Sequence, residues 1–425
     1  MEITCFRSFV VTLASSLVTL ALAAQKAPDL VLINGRVFTA DRSNPRAEAV
    51  AISGNTIVAV GRSDAIGQLA GPSTMRIDLQ GRVVIPGIND AHTEHAPSPE
   101  SFILSITPES TFDGVGLALI SAADESPAVT WLTGTVGQQV LIDPAVTAAA
   151  LEKVAPGRKV MLASSTGHAF VFSPAALTAL KIRRDTPDPV GGSFERAANG
   201  DVTGKAFEYA AWNAERRFVD SVSDDEAVTS LRDFASAAIR DGVTSVQNVS
   251  RLPFGRYEKS VRHADVPLRI RMIRSPGTDA NGRDRGEGSN FAARDRERKY
   301  SIVSGTEWVL DSPSGQLNFH TSEISQMLAD SLAANDQLLL RVENERTVAA
   351  LFDAMKAMAG VDWKSKRVRF ETDREVPGNC GDRGSGERRW AAEKSVECWD
   401  SCGASFAWRY QFVSKHHAGG HGDHA

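Results

Sequence analysis

The chain has 425 residues, with 47 Lys and Arg against 52 Asp and Glu, a formal net charge of −5 and a pI near 6.0. That balance gives no electrostatic reason to expect nucleic acid or an anionic lipid surface as a partner. Of its four cysteines one is Cys5, and Cys380, Cys398 and Cys402 crowd into the last 46 residues, a shift in composition at that end.

In chain order the first element is a segment made to be removed. "MEITCFR" carries one arginine, "SFVVTLASSLVTLALAA" is apolar, and Ala21-Leu22-Ala23 offers a small-x-small cleavage site. This is the three-part pattern of a secretory signal peptide over residues 1–23, and it implies export to a bacterial periplasm. The apolar run is shorter than the ~20 residues a spanning helix needs, so no stable membrane association is expected after cleavage. About 400 residues then remain, more than one core usually organises, which predicts a large domain plus a smaller one.

Residues 24–87 read as short strands and turns. "LVLINGRVFTA", "AVAISGNTIVAVG" and "MRIDLQGRVVIPG" alternate branched apolar and polar residues around Asn-Gly, Ser-Gly-Asn and Gln-Gly turns. That is antiparallel signal, too little to close a core alone, and it predicts a small β-sandwich domain built onto a larger one. The run "GRVVIPGI" reads as a buried strand.

Beyond residue 87 strands alternate with helices. In "SDDEAVTSLRDFASAAIRDG", Ser223 and Glu226 have capping-box spacing, Leu231, Phe234, Ala235, Ala238 and Ile239 share one face, and Gly242 stops the helix. Strand-like "VTSVQNVS", "LRIRMIR" (268–274), "GTEWVLD" (305–311), "QLLLRVENE" (337–345) and "RVRFETD" (367–373) follow, with the helix "TVAALFDAMKAMAG" before the last. This order predicts an α/β fold over 88–378, a parallel sheet or barrel, with its chemistry at the C-terminal ends of the strands. An insertion is expected at about 98–220, holding the strand-like "KVMLASSTGHAFVF". The charge run at 278–300 reads as a solvated loop. Residues 379–425 hold no sustained period and read as a disordered tail; their Cys-x3-Cys spacing is not repeated, as a zinc site would need.

The chemistry concentrates in "NDAHTEHAPS", residues 89–98. On a strand, positions i and i+2 share a face, so Glu94 points with His92 while His95 points away. A bulge would reverse that choice, and bulges occur at active sites. A carboxylate and an imidazole are both competent metal ligands, so the partner of His92 stays open between Glu94 and His95. No Gly-x-Ser-x-Gly elbow, P-loop or dinucleotide fingerprint occurs, which leaves serine hydrolase and nucleotide-binding classes unsupported.

"LVLINGRVFTAD", "AVAISGNTIVAVG", "VVIPGINDAH", "SSTGHA", "GVTSVQ" and "GTEWVLD", in this order, resemble the amidohydrolase superfamily, in its amidohydrolase 3 branch, over residues 28–378. The resemblance implies a (β/α)8-type metal-dependent hydrolase barrel with a small β-sandwich. It also implies a divalent metal, zinc by preference, and a small-molecule amide-like substrate, with a homo-oligomer allowed. His92 matches the family's first metal-binding histidine, with Glu94 and His95 as candidates for the second. Glu307 matches the bridging ligand, and His168 a position at the substrate mouth. Arg341 and Thr372 stand where the family has histidines, and an arginine cannot bind metal, so one ion at most is implied. The family's last two strands and their aspartate find no match after residue 378, so the barrel is expected to lack its last strands. Two functions follow: a hydrolase of non-peptide carbon–nitrogen bonds using a metal-activated water, or an inactive, truncated relic of one.

Overall fold

The computed structural model describes residues 27–284, 301–372 and 405–408, with the backbone alone for 301–304, 372 and 405–408. The signal segment, most of the charge run and the tail apart from Ser405–Trp408 lie outside the described residues, as do the cysteines and histidines of that tail and the side chain of Thr372. The chain divides into two compact units, Met1–Gly87 and Ile88–Ala425.

The first unit holds β1 (Leu30–Ile33), β2 (Arg36–Phe38), β3 (Arg46–Ala47), β4 (Ala49–Ser53), β5 (Thr56–Gly61), β6 (Met75–Asp78) and β7 (Val83–Val84). They form a four-stranded sheet ordered β5-β4-β1-β6 and a three-stranded sheet ordered β3-β2-β7. Val31, Ala49 and Ala51 bury against Ile66 of the short helix Ser63–Gln68. Pairing is antiparallel from β1 through β4 to β5, but β6 lies parallel to β1 and β7 parallel to β2. The helix supplies the crossover that the parallel β1–β6 pair needs. The run 81–88 is not one buried strand: Val83 and Ile85 are each 58% exposed and Ile88 47%. Pro86 has no N–H to give a ladder, so the run splits into β7 and the start of the next strand.

In the second unit β8 (Ile88–Thr93) is followed by strands of a separate mixed sheet. These are β9 (Ser101–Ile103), β10 (Trp131–Val136), β11 (Lys159–Ser164), β12 (Ala169–Phe172), β13 (Gly192–Arg196) and β14 (Val202–Glu208). They stand in the order β13-β14-β12-β11-β10-β9. Leu119, Leu132, Val140, Leu151, Val160 and Leu162 form one of its cores. The stretch "KVMLASSTGHAFVF" is two antiparallel strands, β11 and β12, turning at Thr166–Gly167.

The chain then returns to the sheet of β8. It adds β15 (Val243–Val249), β16 (Arg269–Arg274), a hairpin of β17 (Thr278–Asp279) and β18 (Gly282–Arg283), then β19 (Ser301–Val309), β20 (Leu338–Arg341), β21 (Arg369–Thr372) and β22 (Ser405–Trp408). Apart from the hairpin, these strands and β8 pair in parallel and in chain order, β8-β15-β16-β19-β20-β21-β22. Helices Phe254–Ala264, Thr321–Ala334 and Glu345–Ala357 cross between successive strands. Parallel neighbours in chain order are the pattern of a barrel wall. Here they make an open half-barrel, and among the described residues no pairing joins β22 to β8. The segment beyond residue 378 was expected to supply no strand; β22 corrects that at four residues, paired in register with β21 from Arg369↔Ser405 to Thr372↔Trp408.

The two faces of this sheet differ as the strand period requires. Leu338, Leu340 and Phe370 pack outward with Ile324, Leu328 and Leu351 of the helices. Leu339, Arg341, Arg369 and Glu371, one residue out of step, face the other way, where Leu339 meets Val249 and Ile273.

Candidate metal centre

Three donors converge at the C-terminal ends of the half-barrel strands. His92 of β8, Glu307 of β19 and Glu371 of β21 bring one ligand atom each to within 4.8 Å of one another. Among the described residues no other group of His, Cys, Asp or Glu does this. Two backbone irregularities aim these side chains. Between the pairs Val246↔Asp90 and Asn248↔Thr93, β8 carries one residue more than β15. Between Met272↔Val303 and Arg274↔Thr306, β19 carries one more than β16. The second bulge contains Gly305, whose φ of +100° puts it in a region that suits glycine, and a Cβ there would meet Leu339 Cδ1 at 2.7 Å. The first irregularity holds His92 itself, and the second comes just before Glu307.

Nδ1 of His92 lies 2.8 Å from Oε2 of Glu371, close enough for a charged contact though off the line of a hydrogen bond. Its Nε2 lies 3.2 Å from Oε1 of Glu94. Arg369 Nη2 reaches Oε1 of Glu371 at 2.7 Å, and Arg341 Nη1 stands 3.9 Å from Oε1 of Glu94 while its Nε stands 3.4 Å from Glu343. Glu307 is buried, and its Oε1 has no hydrogen-bond partner among the described residues. Burial pushes the Glu307 carboxyl above its ordinary range, and the charge of Glu371 adds to this. Burial pushes Glu371 up as well, but His92 and Arg369 outweigh it and hold that carboxyl low. For His92, burial works against the proton, yet Glu371, Glu94 and Glu307 together raise its pKa to about 9. Without an ion, the site is a proton-loaded imidazole among carboxylates. An orphaned buried carboxylate oxygen and a mixed imidazole–carboxylate donor set fit a divalent cation.

Of the residues singled out in the sequence, His92 and Glu307 meet here. Glu94 sits beside them, 38% exposed, on the side of His92 away from Glu371. His95 does not join. Its ring stacks on Phe234 at 4.3 Å and its Nε2 faces Ser230 Oγ at 3.4 Å, both on the helix Asp224–Arg240. Asn248 holds its backbone from both sides, accepting from His95 N at 2.8 Å and donating to His95 O at 3.1 Å. His95 thus lies outside the group of donors that converge here. The irregularity in β8 spans Ala91 and His92, and His95, past the strand's end at Thr93, turns to the helix Asp224–Arg240.

His168 lies elsewhere, at the turn between β11 and β12. Its Nδ1 is 3.0 Å from both oxygens of Glu208, it meets Trp212 edge-on at 5.5 Å, and its buried Nε2 has no hydrogen-bond partner among the described residues. Glu208 also accepts from Asn318 Nδ2, which donates to Val309 O at the end of β19, so this pair is tied to the strand that bears Glu307. Sequence reasoning missed Glu371, although it sits in "RVRFETD" beside the Thr372 that drew attention.

An open sheet of parallel strands, with imidazole and carboxylate donors gathered at the strands' C-terminal ends, defines the class of metal-dependent hydrolases of barrel type. The model of the amidohydrolase family matches residues 76–366, and the chain belongs to that family. Membership implies a divalent metal. An N-substituted formamide deformylase of Arthrobacter pascens is 32% identical over 232 residues, 51% of this chain and 42% of that protein. The putative amidohydrolase YtcJ of Bacillus subtilis is 28% identical over 250 residues, 56% of this chain and 47% of that one. The match thus spans less than half the length of each. A crystal structure of an uncharacterized metal-dependent hydrolase from Pyrococcus horikoshii shares the fold at a TM-score of 0.57 and 14% identity, covering 81% of this chain and 74% of its own. One from Pyrococcus furiosus does so at 0.55 and 14%, covering 81% and 76%.

Proposed function

We propose that the protein hydrolyses non-peptide, amide-like carbon–nitrogen bonds of small molecules with one divalent ion held by His92, Glu307 and Glu371. The observation that carries this is the convergence of those three donors, with Glu307 Oε1 left without a partner. The likeness to a formamide deformylase supports an N-substituted amide with a small acyl group as substrate. When bound, such an ion, zinc by preference, supplies Lewis acidity and a water acidic enough to react near neutral pH.

The chain's own residues do the rest. His168, with Nδ1 held by Glu208, keeps Nε2 as an acceptor for a polar group of the substrate. With the ion in place, hydrolysis would add water across the C–N bond and release a carboxylic acid and a free amine. The reading includes a small β-sandwich in the first unit, a (β/α)8-type barrel that lacks its last strands, and export directed by residues 1–23. Cell fractionation tests the last of these.

A second reading has its own observation. Arg369 and His92 already pair with Glu371, and Arg341 with Glu343, so the site's charges are largely met from within the chain. That favours an inactive relic. Metal analysis of the purified chain, with amine release from N-substituted formamides, separates the two. Stoichiometric metal with turnover supports the hydrolase, and a folded chain that neither binds metal nor releases amine sinks it.

A further inference from the structure

His92 presents its two nitrogens to different carboxylates. Nδ1 faces the buried Glu371, while Nε2 faces the half-exposed Glu94. An imidazole gives one nitrogen to an ion, and the other, carrying its proton, needs an acceptor that fixes tautomer and ring orientation. The three donors that converge include Glu371 and Glu307 and leave Glu94 out. Glu94 in turn has Arg341 on its far side, a guanidinium that is always charged, cannot bind metal, and is itself held by Glu343.

On the reading that an ion binds here, we propose that Glu94 is not a ligand but a positioning residue. It accepts the Nε2–H of His92, so that Nδ1 is bare for the ion, and Arg341 anchors Glu94 in that place. Glu371, from the strand next to that of Arg341, completes the ligand set with Glu307. The order Arg341–Glu94–His92 is then a relay of orientation running from β20 to β8. It also gives Arg341, which is useless as a ligand, a reason to stand in the site. A ligand role for Glu94 would need its carboxylate on the Nδ1 side, and it lies on the other.

The test uses the full chain, stripped with a chelator and titrated with Co2+ by visible absorption, and with Zn2+ after 15N-histidine labelling. Wild-type chain is expected to take one equivalent, with the NMR signal of His92 showing Nδ1 metallated and Nε2 protonated. Glu94→Ala is expected to keep that stoichiometry and lose about 10- to 100-fold in affinity, as outer partners of ligating histidines typically do. Glu94→Gln, whose carbonyl still accepts the N–H, is expected to recover part of that loss, and Arg341→Met to weaken binding less than Glu94→Ala does. Glu371→Gln is expected to abolish tight uptake. Circular dichroism checks that each variant folds; Glu94 is exposed enough that its replacement leaves the core alone. Metallation at Nε2, or Glu94→Ala losing uptake as fully as Glu371→Gln, overturns the proposal and makes Glu94 a ligand. Unchanged affinity in Glu94→Ala overturns it too. No Co2+ uptake by wild-type chain sinks the metal reading of the site and this proposal with it, whereas uptake with the wrong pattern sinks this proposal alone.

Discussion

Replacing His95 with phenylalanine separates a histidine that packs from one that could bind metal. The His95 ring lies flat on Phe234, and burial lowers its pKa from 6.5 to about 4. Between those values the unfolded chain takes up a proton that the folded chain refuses. The stability from a neutral His95 is therefore complete above pH 6.5 and is lost as pH falls through about 4. The whole shift corresponds to about 3 kcal/mol, and at pH 5 roughly 2 kcal/mol of it is already gone. Phenylalanine keeps the stacked ring and removes the titration. Other groups titrate in the same window, but they cancel when wild type and variant are compared at each pH. Urea unfolding followed by tryptophan fluorescence at pH 7.5 and pH 5.0 should show the variant gaining about 2 kcal/mol on wild type across that interval. Co2+ uptake should not change. A stability difference equal at both pH values would refute the buried, neutral His95, and loss of metal by the variant would return it to the site.

Ser223→Ala removes the cap of the helix Asp224–Arg240, where the Ser223 side chain accepts from Glu226 N, and should cost about 1 kcal/mol in the same unfolding assay. Arg369→Met cuts the ties from β21 to Ala91 O at 2.7 Å and to Gln247 Oε1 at 2.8 Å, and leaves Glu371 without its guanidinium. A loss of about 1–3 kcal/mol in unfolding free energy is expected, because buried acceptors lose their donor while His92 still faces Glu371. Gly305→Ala forces a side chain into a positive-φ bulge against Leu339, and should both lower stability by more than about 1 kcal/mol and weaken Co2+ uptake, since Glu307 is two residues on.

The strand-and-helix order of the second unit was legible because its periods are strong. "VTSVQNVS" became β15, "LRIRMIR" became β16, and the helix after Ser223 starts at the cap its sequence announces. The first unit was harder. Alternation marks a strand but carries no direction, so the parallel partners of β1 and β2 could not be told from antiparallel ones. The strand β22 was missed for a related reason. "SFAW" is too short to show a period, and what makes it a strand is the exposed edge of β21 beside it.

Within the site, Glu371 carried a signal that attention to Thr372 obscured. In "RVRFETD" the charged residues Arg367, Arg369 and Glu371 fall on every second position, with Val368 and Phe370 between them. Val368 and Phe370 go to the helix side, and the stripe holding Arg369 and Glu371 faces into the half-barrel. Parallel register then sets Glu371 beside Arg341 and Arg369 beside Leu339. Strand period and parallel pairing alone, applied to Arg341 at the end of "QLLLR", select Glu371 and not Thr372 as the residue that looks into the site. A buried stripe of charge is costly unless each member is met. Here Arg369 is met by Gln247, Ala91 O and Glu371, and Glu371 by Arg369 and His92. Glu307 Oε1, a buried oxygen of this site with no hydrogen-bond partner among the described residues, is an atom toward which an ion would be drawn.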